Sequence, residues 1–348
     1  MSTQNLIYRN IAEILGQDIL DAKIAKGEIL TAYIGFAPTG KIHLGYLLPC
    51  VKIRDLTLVG CRVAIMIADI HCVIDERKTP SHLVNLRTEY YRLSLTDLLQ
   101  RLGANLDLVK FVKGSEFQLS QQYTMDLLEM STRVTITMAQ RAGAGVVKKD
   151  KHPKLGSLMY PLMQAIDENY VGQASFGSQA DIELGGTDQR KIFTFALDHM
   201  VKDTTARMSY LMNPIISLSK PKPKSESEVD KMSASDPRYR ILLIDNEDRI
   251  EEVIKSAYCV DGDSNCGLML ILRCVFFPLN NSLCITGDDD IVREYHSYED
   301  FERDYRTGLF VACHVKRMII GLICDFLVSV RNYHLGHEMV ELVAAAYP

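Results

Sequence analysis

The chain has 348 residues, 47% of them apolar and 24% charged, with a formal net charge of −5 at pH 7. That length allows one large domain and a smaller one, each with its own core, and the mildly acidic balance excludes a protein that coats nucleic acid nonspecifically while leaving room for a local basic surface. Nine cysteines without a C-x-x-C pair argue against a zinc ribbon or a thioredoxin-like site, and several lie in apolar runs, as buried free thiols of a reducing compartment do.

The opening MSTQNLIYRNIAEILGQDIL carries acidic residues and helical hydrophobicity, with neither a basic leader nor an apolar signal core. No apolar stretch approaches the roughly 18 residues of a membrane span, so a cytoplasmic protein without membrane attachment is expected. Helical periodicity runs from about Leu6 to Lys26, and Ile29 to Phe36 is a short β-rich run closed by the turn Ala37-Pro38-Thr39-Gly40. Helical spacing resumes over Leu44 to Val59, Arg62 to Ile67 is strand-like, residues 82–102 repeat with a period near 3.6, and Leu108 to Phe111 is again strand-like. Such βαβα alternation predicts an α/β fold with a doubly wound parallel sheet, whose ligands lie beyond the carboxyl ends of the strands. Helices are expected over 121–142 and 156–171, and another from about Asp188 after Gly185-Gly186. Residues 219–237, SKPKPKSESEVDKMSASDP, are nearly devoid of apolar side chains and read as a surface loop or linker. From Arg240 the pattern is mostly helical, near 246–258, 266–275 and 312–332, which places a domain boundary close to 238: a catalytic domain over 1–237 and a helical C-terminal domain over 238–348.

Two short strings carry chemistry. In His43-Leu44-Gly45-Tyr46, after a strand and turn, a glycine lets a helix start approach a nucleotide and a histidine can donate to phosphate. In Lys231-Met232-Ser233-Ala234-Ser235, a lysine on a polar loop can meet charge developing in a transition state. Together they point to adenylyl transfer from ATP. Tyr160, Gln164 and Asp167 share one face of a predicted helix. On its own such a stripe reads as the ordinary solvated side of an amphipathic helix.

Five segments, YIGFAPTGKIHLGY (33–46), IADIHCVID (67–75), YPLMQAIDENY (160–170), GGTDQRKIFTFA (185–196) and DKMSAS (230–235), resemble the tyrosyl-tRNA synthetases of the eukaryotic–archaeal branch, class I aminoacyl-tRNA synthetases. The resemblance covers nearly the whole chain and implies a Rossmann-like catalytic domain, a C-terminal domain of the anticodon-binding type, and a homodimer. It implies that Tyr33 and Asp167 bind the phenol hydroxyl of tyrosine, and that Tyr160, Gln164 and Gln189 hold its amino group. It places ATP, with Mg²⁺, against Gly35, Ala37, Thr39, His43, Gly45, Lys231, Met232 and Ser233, with His43, Gly45 and Lys231 as the catalytic set. It implies tRNA-Tyr as partner, with Arg190 and His314 as candidate contacts, and no resident metal site in the protein itself. Asp69 and His71, at the end of a strand, either line the site or support it. Lys220, Lys222 and Lys224 either supplement the single motif lysine or belong to a solvated linker.

Three departures stand out. VGQASFGSQADIEL lengthens the segment between Tyr170 and Gly185; His314 stands where the family carries an aspartate that reads the first anticodon base; and GDDDIVREY (287–295) replaces an aromatic-Gly-Gly turn that stacks on that base. Two further readings remain open: a tryptophan-specific relative, which the Tyr33–Asp167 pair disfavours because indole has no hydroxyl, and a tRNA-binding or regulatory paralogue without aminoacylation. A different member of the superfamily, such as a pantothenate-type or mononucleotide adenylyltransferase, would share the HxGH-like site but lack the tyrosine pocket and the long helical tail.

Overall fold

In the computed structural model, described for residues 3–75, 78–147, 152–200, 208–220 and 237–348, one six-stranded sheet organises the first part of the chain. Its strands are β1 (Glu13–Leu15), β2 (Thr31–Phe36), β3 (Arg62–Ile67), β4 (Val109–Lys113), β5 (Ile182–Gly186) and β6 (Ser209–Asn213), in the spatial order β1-β6-β5-β2-β3-β4. All neighbours are parallel except β1, which runs antiparallel to β6 at the edge. β3 is buried along nearly its whole length, as its RVAIMI composition demands of a strand covered on both faces. The winding reverses between β2 and β5, and a doubly wound sheet opens its ligand crevice at that switch point.

Several boundaries differ from the sequence expectation. The helix anticipated over 6–26 divides into Thr3–Tyr8 and Gln17–Ala25, because Asn10 turns left-handed (φ 59°) and Glu13–Leu15 is drawn into the sheet by β6. The helix anticipated over 121–142 breaks into Gln121–Arg133 and Ile136–Gly143, where Thr135 accepts a bond from the Met138 amide and caps the second piece. That over 156–171 is Leu155–Asp167, followed by the short Val171–Phe176. The segment between Tyr170 and Gly185 forms a helical turn, a left-handed Gly177 (φ 66°) and the start of β5.

The chain forms two compact units: 1–39 with 52–214 and 341–348, and 40–51 with 215–340. The sequence placed a boundary at 238 and no exchange of segments. Residues 40–51 join the second unit because the Leu44 amide donates to Ile241 O (2.8 Å) and His43 bridges Leu242. Residues 341–348 join the first because Ala346 O accepts from Arg87 Nε (3.0 Å) and the Tyr347 ring lies under the Arg87 guanidinium. The second unit contains the helices Glu247–Ser256, Tyr298–Arg306 and Ala312–His334, around a core in which Phe301, Tyr305 and Phe310 pack ring on ring. It also contains an unexpected hairpin, β7 (Leu283–Thr286) and β8 (Val292–Tyr295), and a π-helical turn at Leu272–Phe276.

Candidate active site

Register builds the floor of the site. Tyr33 of β2 lies opposite Glu183 of β5, which lies opposite Tyr210 of β6, so three polar side chains stand in a row on one face of the sheet. The helix Leu155–Asp167 brings Tyr160, Gln164 and Asp167, and Glu168 caps its end. Asp167 is 2% exposed, and its Oδ1 accepts from Tyr123 Oη (2.8 Å) and Gln118 Nε2 (2.8 Å). Its Oδ2 lies 3.8 Å from His71 Nε2. Burial pushes Asp167 well above the usual carboxylate range and lowers His71 to about 4, which keeps that ring neutral at pH 7. Gln118 Nε2 also approaches His71 Nδ1 (3.3 Å), and the ring packs edge-on against Tyr160 at 4.6 Å.

Two polar atoms in this row are buried without a hydrogen-bond partner: Tyr33 Oη and Glu183 Oε2. Gln164 Nε2 donates to the other Glu183 oxygen (3.0 Å), and Tyr210 Oη donates to Glu168 (2.9 Å). Orphaned buried groups in a native fold are uncommon and mark places where a ligand completes the network. Two residues along β2 from Tyr33, on the same face, Gly35 is exposed and a β-carbon there would meet nothing within 4 Å. The strand thus leaves an open surface beside the polar pocket.

The turn after β2 is held from below. Pro38 O accepts from Thr79 Oγ1 (2.9 Å), and Thr39 O accepts from Arg87 Nη1 (2.6 Å), which also reaches Lys78 O (3.1 Å). Ala37 and Thr39 remain partly exposed on that fixed turn. Gln189 follows β5 in the short turn Thr187–Gln189, where its Nε2 contacts Asp188 (3.4 Å); Gly185 is required there because a β-carbon would fall 2.6 Å from Phe193 and 3.1 Å from Gln189.

Within the second unit, His43 caps the turn Leu44–Tyr46. Its Nδ1 accepts from the Gly45 amide (3.2 Å), so the proton sits on Nε2 and that nitrogen is a donor. Burial, aided by the Arg240 charge, lowers His43 to about 4, so the donor is neutral. Lys231, Met232 and Ser233, with Lys222 and Lys224, lie outside the described residues; Lys220 is exposed. His314 is buried at the start of Ala312–His334: its Nδ1 accepts from the Val311 amide (3.2 Å) and its Nε2 contacts Asp288 Oδ1 (2.8 Å). Arg190 is half exposed and bound to Glu13 (2.7 Å).

The structure therefore brings Tyr33, Tyr160, Gln164 and Asp167 together, and His71 with them. Asp69 instead accepts from the Ile70 and Ser115 amides and serves the local backbone. Gln118, Tyr123, Glu168 and Glu183 were missed by sequence reasoning. Only Glu183 left a signal, a carboxylate between the apolar neighbours Ile182 and Leu184 of a buried strand.

A mostly parallel, doubly wound sheet with a polar pocket at its switch point matches the Rossmann-like fold of the class I synthetases. The chain belongs to the family of class I tRNA synthetases (W and Y), whose sequence profile matches residues 25–326. It is 35% identical over 99% of its length to the cytoplasmic tyrosine–tRNA ligase of Gallus gallus, of which it spans 63%. It is 38% identical to the probable cytoplasmic tyrosine–tRNA ligase of Encephalitozoon cuniculi, covering 98% of this chain and 97% of that one. The crystal structure of the Archaeoglobus fulgidus tyrosyl-tRNA synthetase with L-tyrosine superposes with a TM-score of 0.81 at 26% identity, over 95% of this chain and 99% of the other. No helix among the described residues is long and apolar enough to cross a membrane.

Proposed function

We propose that this chain activates tyrosine with ATP and transfers it to the 3′ end of tRNA-Tyr, as a cytoplasmic enzyme. The observation that carries this reading is the pairing of an unpartnered Tyr33 hydroxyl with an Asp167 carboxylate whose Oδ2 makes no hydrogen bond among the described residues. A phenol hydroxyl can donate to the carboxylate and accept from Tyr33, satisfying both. Phenylalanine would leave both unpaired, and a site built around a hydroxyl rejects such analogues strongly. Indole offers one donor and no acceptor, so tryptophan fits worse.

In this reading Tyr160, Gln164 and Gln189 orient the amino group, Gly35, Ala37 and Thr39 receive the nucleotide, and His43 Nε2 donates to phosphate beside the Gly45 amide. Lys231 stabilises the developing charge, with Met232 and Ser233 in its loop. A tyrosine carboxylate oxygen attacks the α-phosphorus in line, the bond to pyrophosphate breaks, and tyrosyl-adenylate forms without a covalent enzyme intermediate. The terminal hydroxyl of the tRNA then attacks the activated carbonyl, and AMP leaves. Mg²⁺ usually keeps several waters and binds nucleotide phosphates; it would arrive with ATP and neutralise phosphate charge. The exposed apolar side chains Leu119, Met125, Leu128 and Ile136, clustered in one stretch of sequence, support a homodimer. Light scattering should give twice the monomer mass, and a monomer at micromolar concentration would refute that part. The activity is tested by ATP–pyrophosphate exchange with each amino acid: tyrosine should support it and phenylalanine and tryptophan only weakly. Exchange driven by tryptophan alone would overturn the assignment.

A further inference from the structure

Three carboxyls, Asp167, Glu168 and Glu183, are buried together at the switch point, and only the first has a place in the chemistry above. Glu183 is the second residue of β5, between the apolar Ile182 and Leu184, and 3% exposed. One of its oxygens takes the Gln164 amide and the other has no partner. An ionised carboxylate only accepts hydrogen bonds. It therefore fixes which end of the Gln164 amide faces it, and the carbonyl oxygen of Gln164 must point away.

We propose that Glu183 is a positioning and specificity residue for the ammonium end of the substrate: it locks Gln164 with its carbonyl oxygen presented to the ammonium, and its charge selects an amino acid over the des-amino analogue. This rests on the tyrosine reading given above. The groups that face Glu183 are Tyr33 from β2, Tyr210 from β6, and Gln164, Asp167 and Glu168 from the helix and its end. Each is neutral or acidic, so the substrate ammonium is the complementary charge. Burial pushes Glu183 up to about 7, so its charge appears as the pH rises through neutrality. A ligand carrying an ammonium then binds more tightly at pH 8 than at pH 6, by up to about tenfold if only the ionised form binds.

The test is equilibrium binding of tyrosine and of 3-(4-hydroxyphenyl)propionate to the full chain and to Glu183→Gln, from pH 6 to pH 8. The parent should gain affinity for tyrosine across that range. Glu183→Gln should bind tyrosine at least about tenfold more weakly than the parent at pH 8, with no pH dependence, and should bind the des-amino compound as the parent does. Equal losses for both ligands would mean a merely structural role and overturn the proposal, as would a variant that matches the parent with tyrosine at every pH. Glu183→Asp keeps the charge and should keep the pH dependence; its loss there overturns the proposal even if Glu183→Gln fails to fold. A parent that binds no tyrosine at all overturns the tyrosine reading and this inference together, whereas a parent that binds it normally beside an unaltered variant overturns only the inference.

Discussion

In the proposed reading, substrate choice turns on Asp167. Replacing it with alanine removes the partner of the phenol hydroxyl and should cost about 1–3 kcal/mol of tyrosine affinity, the usual loss when a buried polar group is left unpaired. ATP binding should be unchanged. Calorimetry with each ligand checks this, and tyrosine affinity within twofold of the parent would remove Asp167 from the site. Glu183 makes a second prediction, about stability. Its carboxyl is raised by burial from an ordinary 4.5 to about 7, so between those values the folded state holds a proton that the unfolded state releases. Stability is therefore lost as pH rises through that window, and the full penalty applies above it. Glu183→Gln should melt higher than the parent at pH 8, with the difference vanishing near pH 4.5. Scanning calorimetry at both values decides it. Helix spacing put Tyr160, Gln164 and Asp167 on one face but read that face as solvated; only the family resemblance singled them out, with Tyr33, as pocket residues. Gln118 and Tyr123 could not be read from sequence, since they reach Asp167 from elements distant in the chain, and nothing in SEFQ or QQYTMD announces that reach.

Among elements, the helix Leu155–Asp167 does the most, carrying three pocket residues despite Pro161 in its interior. Its placement was legible from the apolar spacing; its end was not, because the stop comes from the chain turning into Val171–Phe176 rather than from a terminating residue. The neighbouring turn after Ile136–Gly143 packs so closely that a β-carbon on Gly145 would fall 2.3 Å from Asp188 O. Gly145→Ala must therefore displace the backbone beside Gln189. The expected result is a loss of about 1–3 kcal/mol in stability, typical of overpacking, and a raised KM for tyrosine. Denaturant melts and steady-state exchange would show both; an unchanged KM would separate Asp188 from the pocket. β7 and β8 escaped the sequence reading because three aspartates and a glycine dominate their turn, and only cross-strand pairing makes Leu283–Thr286 a strand.

For the molecule as a whole, the exchange of segments 40–51 and 341–348 was invisible in the sequence, which marks composition changes but not which distant carbonyl an arginine will find. The second unit also changes the outlook for tRNA reading. His314 spends both ring nitrogens on Val311 and Asp288, so it is not free to address a base, and the loop beyond it is acidic. Aminoacylation should therefore depend more on the first acceptor base pair than on the first anticodon base. Transcripts of tRNA-Tyr varied separately at those two places measure this, and a loss of a hundredfold or more from the anticodon change, abolished by His314→Ala, would show the reverse.

The bond from Arg87 to Ala346 spans 259 positions in the chain. During synthesis at about 5–20 residues per second, the guanidinium would wait roughly 13–52 s for that carbonyl to be made, with the turn at Thr39 depending on the same side chain. A nascent chain halted short of Ala346 should therefore hold its sheet yet leave that turn unsettled. Nucleotide binding at that turn would then be acquired only after Ala346 has been made, long after the sheet that carries the turn.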